Sequence, residues 1–261
     1  MHLFKTDGLK VTGLFAVIIF IFSSCVPIKK QIYMQQAEEE SHKIEYVNDN
    51  MPSYTLQPGN NLYIRVFSIE EEMAEFFNFG MGSGGNIYYD AAVYLNSYSV
   101  NEEGIVELPF IGGLYVKDMT LEEAKDVIQK KVNEYLINTM IVVKLVNYNV
   151  TVVGEVQRPS QFKVYQDRIN IYEILGMAGD MTTYAKRDEV ILVRKTEKGS
   201  KVHRLNLLSD EILESEFFYM MPDDIVYVQP VKGKNYAFVQ FPYTLVISSI
   251  SLAIAIFALI Q

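Results

Sequence analysis

The chain has 261 residues, with 32 acidic and 23 basic side chains and a net charge of −9, a balance that disfavours nucleic acid as a partner. A single cysteine excludes an internal disulfide and a cysteine-built zinc cluster, and the three histidines, His2, His42 and His203, stand too far apart to suggest a metal site by spacing. With 18 Tyr, 15 Phe and no Trp the composition favours β-rich packing, and the length suffices for one large or two small domains.

Lys5 and Lys10 flank the start of an unbroken apolar run, Leu14 to Phe22, the two leading parts of a secretory signal. Nine residues do not span a bilayer comfortably. Behind the run come Ser23, Ser24 and Cys25: two small residues that fit a narrow peptidase pocket, then a thiol able to take a diacylglycerol as a stable thioether. This resembles a bacterial lipobox, with Phe22 where leucine is commoner, and makes Cys25 the candidate lipidation site. Residues 1–24 are then signal peptide, and their removal leaves 21 of 23 basic and 31 of 32 acidic residues, a net charge of −10.

Residues 25–51 are polar, carry the acid run Glu38 to Glu40 and lack a sustained apolar period, so they are expected to form a lipidated tether. Order is expected from about Pro52. Leu62, Ile64 and Val66 alternate with Tyr63, Arg65 and Phe67, the period of a strand with one buried face. A second strand is expected over Tyr94–Val100, joined through the turn NEEG to IVELPF as a hairpin, with Ser68 to Val93 a glycine-containing insertion between the strands. TLEEAKDVIQKKVNEYL is the clearest helix, opened by a Thr120/Glu123 capping box, with Leu121, Ala124, Ile128, Val132 and Tyr135 at helical spacing.

It leads into the strand MIVVKLVN. VTVVGEV and QFKVY are strands around Arg158-Pro159-Ser160, INIYEILGMAGD is a short helix closed by glycines, DEVILVRK and KVHRL form a hairpin, and DDIVYVQP is a last strand. Strands and helices mix without regular βαβ alternation, an α+β pattern of two small domains, 52–147 and 148–234. Residues 235–261 carry no charged side chain, and 23 of them, Phe238–Ile260, predict a transmembrane helix of ~35 Å. On it Gln240, Thr244, Ser248, Ser251, Ala255 and Ala258 fall within an arc of about 80°. The four polar ones are candidate pore-lining or helix-packing residues.

No catalytic constellation is legible. Gly80, Gly82 and Gly85 match G-x-G-x-x-G, but no strand precedes them and no helix opens on them, so they predict a loop and not a nucleotide site. There is no G-x-S-x-G, no H-E-x-x-H and no cofactor motif. Acidic pairs such as Glu102-Glu103 and Asp223-Asp224 are what solvated turns contain.

YTLQPGNNLYIRVF resembles the opening Y-x-L-x-P-G-D-x-L-x-I-x-V of the polysaccharide biosynthesis/export domain, and GIVELPFIGGLYVKDMTLEEA resembles its G-x-I-x-L-P-x-I-G-x-V-x-V-x-x-x-T-x-x-E-A. VTVVGEVQRPSQFKVY, INIYEILGMAGDMTTYAKRDEVILVR and MPDDIVYVQP are similar, in order, to the soluble-ligand-binding β-grasp domain that follows it in that family. Asn60 stands where the family usually has Asp, Ser160 where a turn glycine is common, and the Ser68–Val93 stretch is long. The resemblance implies a non-enzymatic outer-membrane export lipoprotein: a homo-oligomeric ring in the periplasm, held to outer-membrane lipid, with C-terminal helices forming a pore for capsular or exopolysaccharide. It also implies ring contacts through the β-grasp domain and an inner-membrane polysaccharide co-polymerase as partner. The alternative is an envelope lipoprotein that binds or scaffolds surface glycan without forming a pore, and a glycan-trimming hydrolase is a third class. That last would require paired carboxylates brought together by folding.

Overall fold

The computed structural model describes residues 28–36, 45–49, 53–78, 90–196, 198–232, 234 and 243–260. Cys25, the glycines at 80, 82 and 85, and Gln240 lie outside them.

Two hydrophobic cores follow one another along the chain. The first is built on strand β1 (Asn61–Phe67), which carries Leu62, Ile64 and Val66 inward and is antiparallel to both β2 (Tyr98–Ser99) and β5 (Met140–Leu145). Helix α3 (Leu121–Val132) covers this sheet with Ala124, Ile128 and Val132, each 1% exposed or less. Its start is fixed as expected: Thr120 Oγ1 accepts from the Glu123 amide at 3.2 Å and the Glu123 carboxylate accepts from the Thr120 amide at 2.7 Å. The hairpin β3 (Ile105–Leu108) and β4 (Gly112–Tyr115) adds Val106 and Leu108 to the same core.

The second core lies in a five-stranded sheet of order β7-β6-β10-β8-β9: β6 (Asn149–Gly154), β7 (Ser160–Lys163), β8 (Ala185–Thr196), β9 (Gly199–Leu205) and β10 (Ile225–Pro230). β10 runs parallel to β6 and antiparallel to β8. Val150, Val152, Val190, Leu192, Val226 and Val228, alternating along the three central strands, are wholly buried. Helix α4 (Ile171–Met177), capped by Asn170, lays Ile171, Ile174 and Leu175 on them. Each such side chain contributes about 1.5–3 kcal/mol of apolar burial, so this patterning decides which face of every strand turns inward. The fold is α+β.

Asn60 and Ser160 keep local geometry despite departing from the family pattern. Asn60 is buried, and its Oδ1 accepts from the Gln57 amide at 2.7 Å and the Tyr54 hydroxyl at 2.9 Å, work that needs an oxygen and no charge. Ser160 begins β7 opposite Val152, and its φ is outside the left-handed range, so no glycine is needed.

Three expectations are corrected. Within Ser68–Val93 and just beyond it lie two short helices, α1 (Glu71–Phe77) and α2 (Asp90–Leu95), so the strand expected from Tyr94 is reduced to Tyr98–Ser99. The end of α2 is fixed by Asn96 and Ser97 side chains donating to the Ala92 and Tyr94 carbonyls at 2.7 and 2.6 Å. The partner of Ile105–Leu108 is therefore Gly112–Tyr115, and Val100 retains a single bridge to Val106. Residues 28–36 and 45–49, expected to be a plain tether, dock on the second unit: Gln35 bridges Ser209, and the Asn48 amide donates to the Leu213 and Ser215 carbonyls at 2.9 and 3.0 Å.

The C-terminal helix, α5, is described over Tyr243–Ile260, 18 residues, and the first five residues of the predicted span lie outside the described set. At 1.5 Å per residue α5 measures about 27 Å, short of a ~30 Å hydrocarbon core. Among the described residues no helix is long and apolar enough to cross a membrane.

Candidate functional site

The two units meet at Asn147 and Leu145. Asn147 accepts from the Asn61 amide at 2.9 Å and donates to the Gly59 carbonyl at 3.0 Å, tying the strand-opening turn of the first unit to the chain that enters the second. Leu145 packs against both cores. Lys144 and Asp167 add an exposed ion pair at 2.7 Å, which contributes little by itself.

The second unit carries the charged groups that burial has most altered. Asp224 is fully buried at the start of β10; burial pushes its carboxyl pKa up, against the lowering effect of Arg194 and of the Met221 amide. Beside the far half of β10, Glu155, the residue that follows β6, donates its amide to the Val228 carbonyl, and its carboxylate accepts from Thr182 Oγ1 at 2.8 Å and pairs with Lys234. Burial alone would raise the Glu155 pKa, but these partners together hold it below the ordinary glutamate value.

A third cluster lies where the docked segment crosses the sheet. Tyr33 places its ring edge-on to Tyr172 at 5.5 Å and over the Arg187 guanidinium at 5.5 Å, while its hydroxyl donates to Asp180 Oδ1 at 2.5 Å. Burial, and then the carboxylate of Asp180, push the Tyr33 pKa well up. Burial, followed by the charge of Asp210, lifts Tyr172 to about 12, and its hydroxyl donates to the Leu207 carbonyl at 3.1 Å. Asp180 sits in the left-handed region, φ +70°, just after the glycine that closes α4. A basic residue at an inward position of a strand is the only trace of this cluster in the sequence; its roof, Tyr33, comes from a segment without apolar periodicity.

Of the residues singled out beforehand, Thr244, Ser248 and Ser251 lie exposed on α5. Ser248 Oγ donates to the Leu245 carbonyl at 3.0 Å and Ser251 Oγ to the Ile247 carbonyl at 2.9 Å, so their hydroxyls are satisfied within the helix. Leu245, Ile247, Ile250, Leu252 and Ile254 are exposed as well, an apolar surface that water would not leave uncovered. Among the described residues no group of acidic, histidine or cysteine side chains is arranged to hold a metal ion.

The model of a family described as polysaccharide biosynthesis/export protein matches residues 48–146, and the model of the SLBB domain matches residues 148–228. The two matches, in this order, are consistent with a polysaccharide export protein family. The two matched ranges adjoin at the Asn147 junction and take up the first and second cores in turn. No curated protein matches the chain. Its domains are those of transport and binding proteins of the cell envelope, with a role in polysaccharide export.

Proposed function

We propose that this export protein is one subunit of a homo-oligomeric ring that passes capsular or exopolysaccharide across the outer membrane. The observation that carries the reading is the adjoining pair of family matches, export domain then SLBB domain, on two cores joined without a linker between them. Cys25 carries the lipid, and only two residues separate it from the docked segment at Ile28, which keeps the second unit close to the membrane surface. Each acyl CH₂ buried contributes ~0.8 kcal/mol, so several chains hold the protein firmly. The bulk of the chain lies in the periplasm.

The second unit provides contacts between subunits. Helix α5 gathers with its copies, covering their exposed leucines and isoleucines with one another and with lipid. Gln240, Thr244, Ser248 and Ser251 face the polymer path or the neighbouring helix, where small side chains allow close approach. The protein makes and breaks no covalent bond. Polymer synthesis and an inner-membrane co-polymerase supply the driving force. Removing the protein from a polymer-producing cell should strand polymer inside the envelope. Undiminished surface polysaccharide in such cells would contradict the reading.

A further inference from the structure

Among the described residues Arg187 is a buried cation whose partners are one carbonyl and the side chain of Tyr33. It lies near the start of β8, 6% exposed, and its Nε and Nη1 are buried without any hydrogen-bond acceptor. Nη2 donates to the Met181 carbonyl at 3.3 Å, a long bond. Among the described residues no ion pair reaches the guanidinium, whereas Arg194 on the same strand is paired with Asp224 on two nitrogens. A buried, charged donor with unmet hydrogens is unfavourable, and a fold that retains one has a place suited to an acceptor from outside.

Tyr33 now covers that place. Its ring gives the guanidinium a π-face and its hydroxyl lies near enough for the cation to act on it, yet neither completes a hydrogen bond with Nε or Nη1. The docked segment that carries it is held by few backbone bonds: Gln35 N to Leu208 O at 2.5 Å, with Met34 N to Leu207 O and Asp210 N to Gln35 O both at 3.4 Å. Its remaining ties to this unit are side-chain bonds such as Tyr33 to Asp180 and Asn48 to the Leu213 and Ser215 carbonyls, and a segment held by scattered bonds outside a continuous ladder is of the kind that opens locally.

We propose that Tyr33 closes a groove for one sugar unit of a polysaccharide, formed by Arg187, Asp180 and Tyr172. The chemistry fits a pyranose. Its hydroxyls donate to the Asp180 carboxylate, its hydroxyl oxygens or a uronate group accept from Arg187 Nε and Nη1, and its C–H face lies on the Tyr172 ring. Tyr33 stands in for such a unit in the closed form, with a hydroxyl on Asp180 and a flat apolar ring between Arg187 and Tyr172. This inference rests on the polysaccharide reading above and adds a site to it.

The test is titration of the full chain in detergent with maltohexaose, as a neutral probe, and with hexagalacturonate, as an acidic one. Tyr33→Ala uncovers the groove and should bind at least one probe tenfold or more tightly than wild type, and adding Arg187→Met should abolish the gain. Arg187→Met alone separates a binding role from a structural one: removing the unmet donors should raise the thermal midpoint, whereas a structural arginine would lower it. A folded Tyr33→Ala protein that binds neither probe better than wild type overturns the proposal, as does a lowered midpoint for Arg187→Met. If Tyr33→Ala does not fold, the Arg187→Met midpoint decides. Either failure alongside normal surface polysaccharide removes the groove and leaves the export reading standing.

Discussion

Arg194 holds the fully buried Asp224 with two bonds, Nε to Oδ1 at 3.0 Å and Nη2 to Oδ2 at 2.7 Å, and so pins the turn that starts β10 to the C-terminal end of β8. Asp224→Asn leaves a nearly buried guanidinium without its counter-charge, and urea unfolding at neutral pH should register a loss of about 3–5 kcal/mol. Burial raises the folded pKa of Asp224 above its unfolded value. The fold therefore favours the protonated carboxyl, a contribution fully present below the ordinary aspartate value and lost as pH rises through the raised one. The gap between wild type and Asp224→Asn should narrow over that window. A gap that widens with rising pH would contradict this.

Glu155 titrates with the opposite sign. Its folded pKa lies below the ordinary value, so its contribution is present at neutral pH and disappears as pH falls through the folded value. Glu155→Gln should lower stability by on the order of 1 kcal/mol at pH 7, with the difference vanishing in acid. Parallel thermal melts across that range measure it.

Gly154 stands at the register point Gly154↔Val228 of the parallel pair β6 and β10. Its φ is +94°, and an added Cβ would lie 2.0 Å from the Val228 carbonyl oxygen. Gly154→Ala should cost about 2 kcal/mol or more, through strained backbone and a forced separation of the two strands. Chemical denaturation reads this directly, and an unchanged midpoint would refute the parallel register.

Cys25→Ala should abolish acyl labelling and leave the signal peptide uncleaved at this position. Metabolic labelling with a radioactive fatty acid, together with the mass of the extracted protein, checks both. Retained label in the variant would place the lipid elsewhere.

Replacing Gln240, Thr244, Ser248 and Ser251 together by Leu should leave the protein level unchanged and reduce surface polysaccharide. The hydroxyls of Ser248 and Ser251 are already bonded within α5, so the substitution acts by bulk at a close contact more than by lost polarity. Normal polymer export at normal protein level would assign the stripe no role.

Where one periodicity ruled, the sequence was legible. Leu62, Ile64 and Val66 on β1, and Ala124, Ile128 and Val132 behind the Thr120 cap, are buried as their spacing predicts. Residues 68–100 misled because short helices need few residues: Glu71–Phe77 and Asp90–Leu95 each have under two turns, too little for a helical period to emerge over alternation. The docking of Tyr33, Gln35 and Asn48 rests on scattered polar bonds to Asp180, Leu208 and Leu213, partners 147 or more positions away, which no local pattern announces. Arg187 was hidden for the same reason, since an unmet donor exists only once the strands around it are packed.

The central claim, a ring of identical subunits that exports polysaccharide, is tested most directly by the mass and shape of the full-length protein extracted from membranes in mild detergent. Particle imaging with mass measurement should find closed rings whose mass is a fixed multiple of the protomer. A uniform population of monomers across detergents and concentrations would contradict the ring and leave a protein that binds or scaffolds envelope glycan.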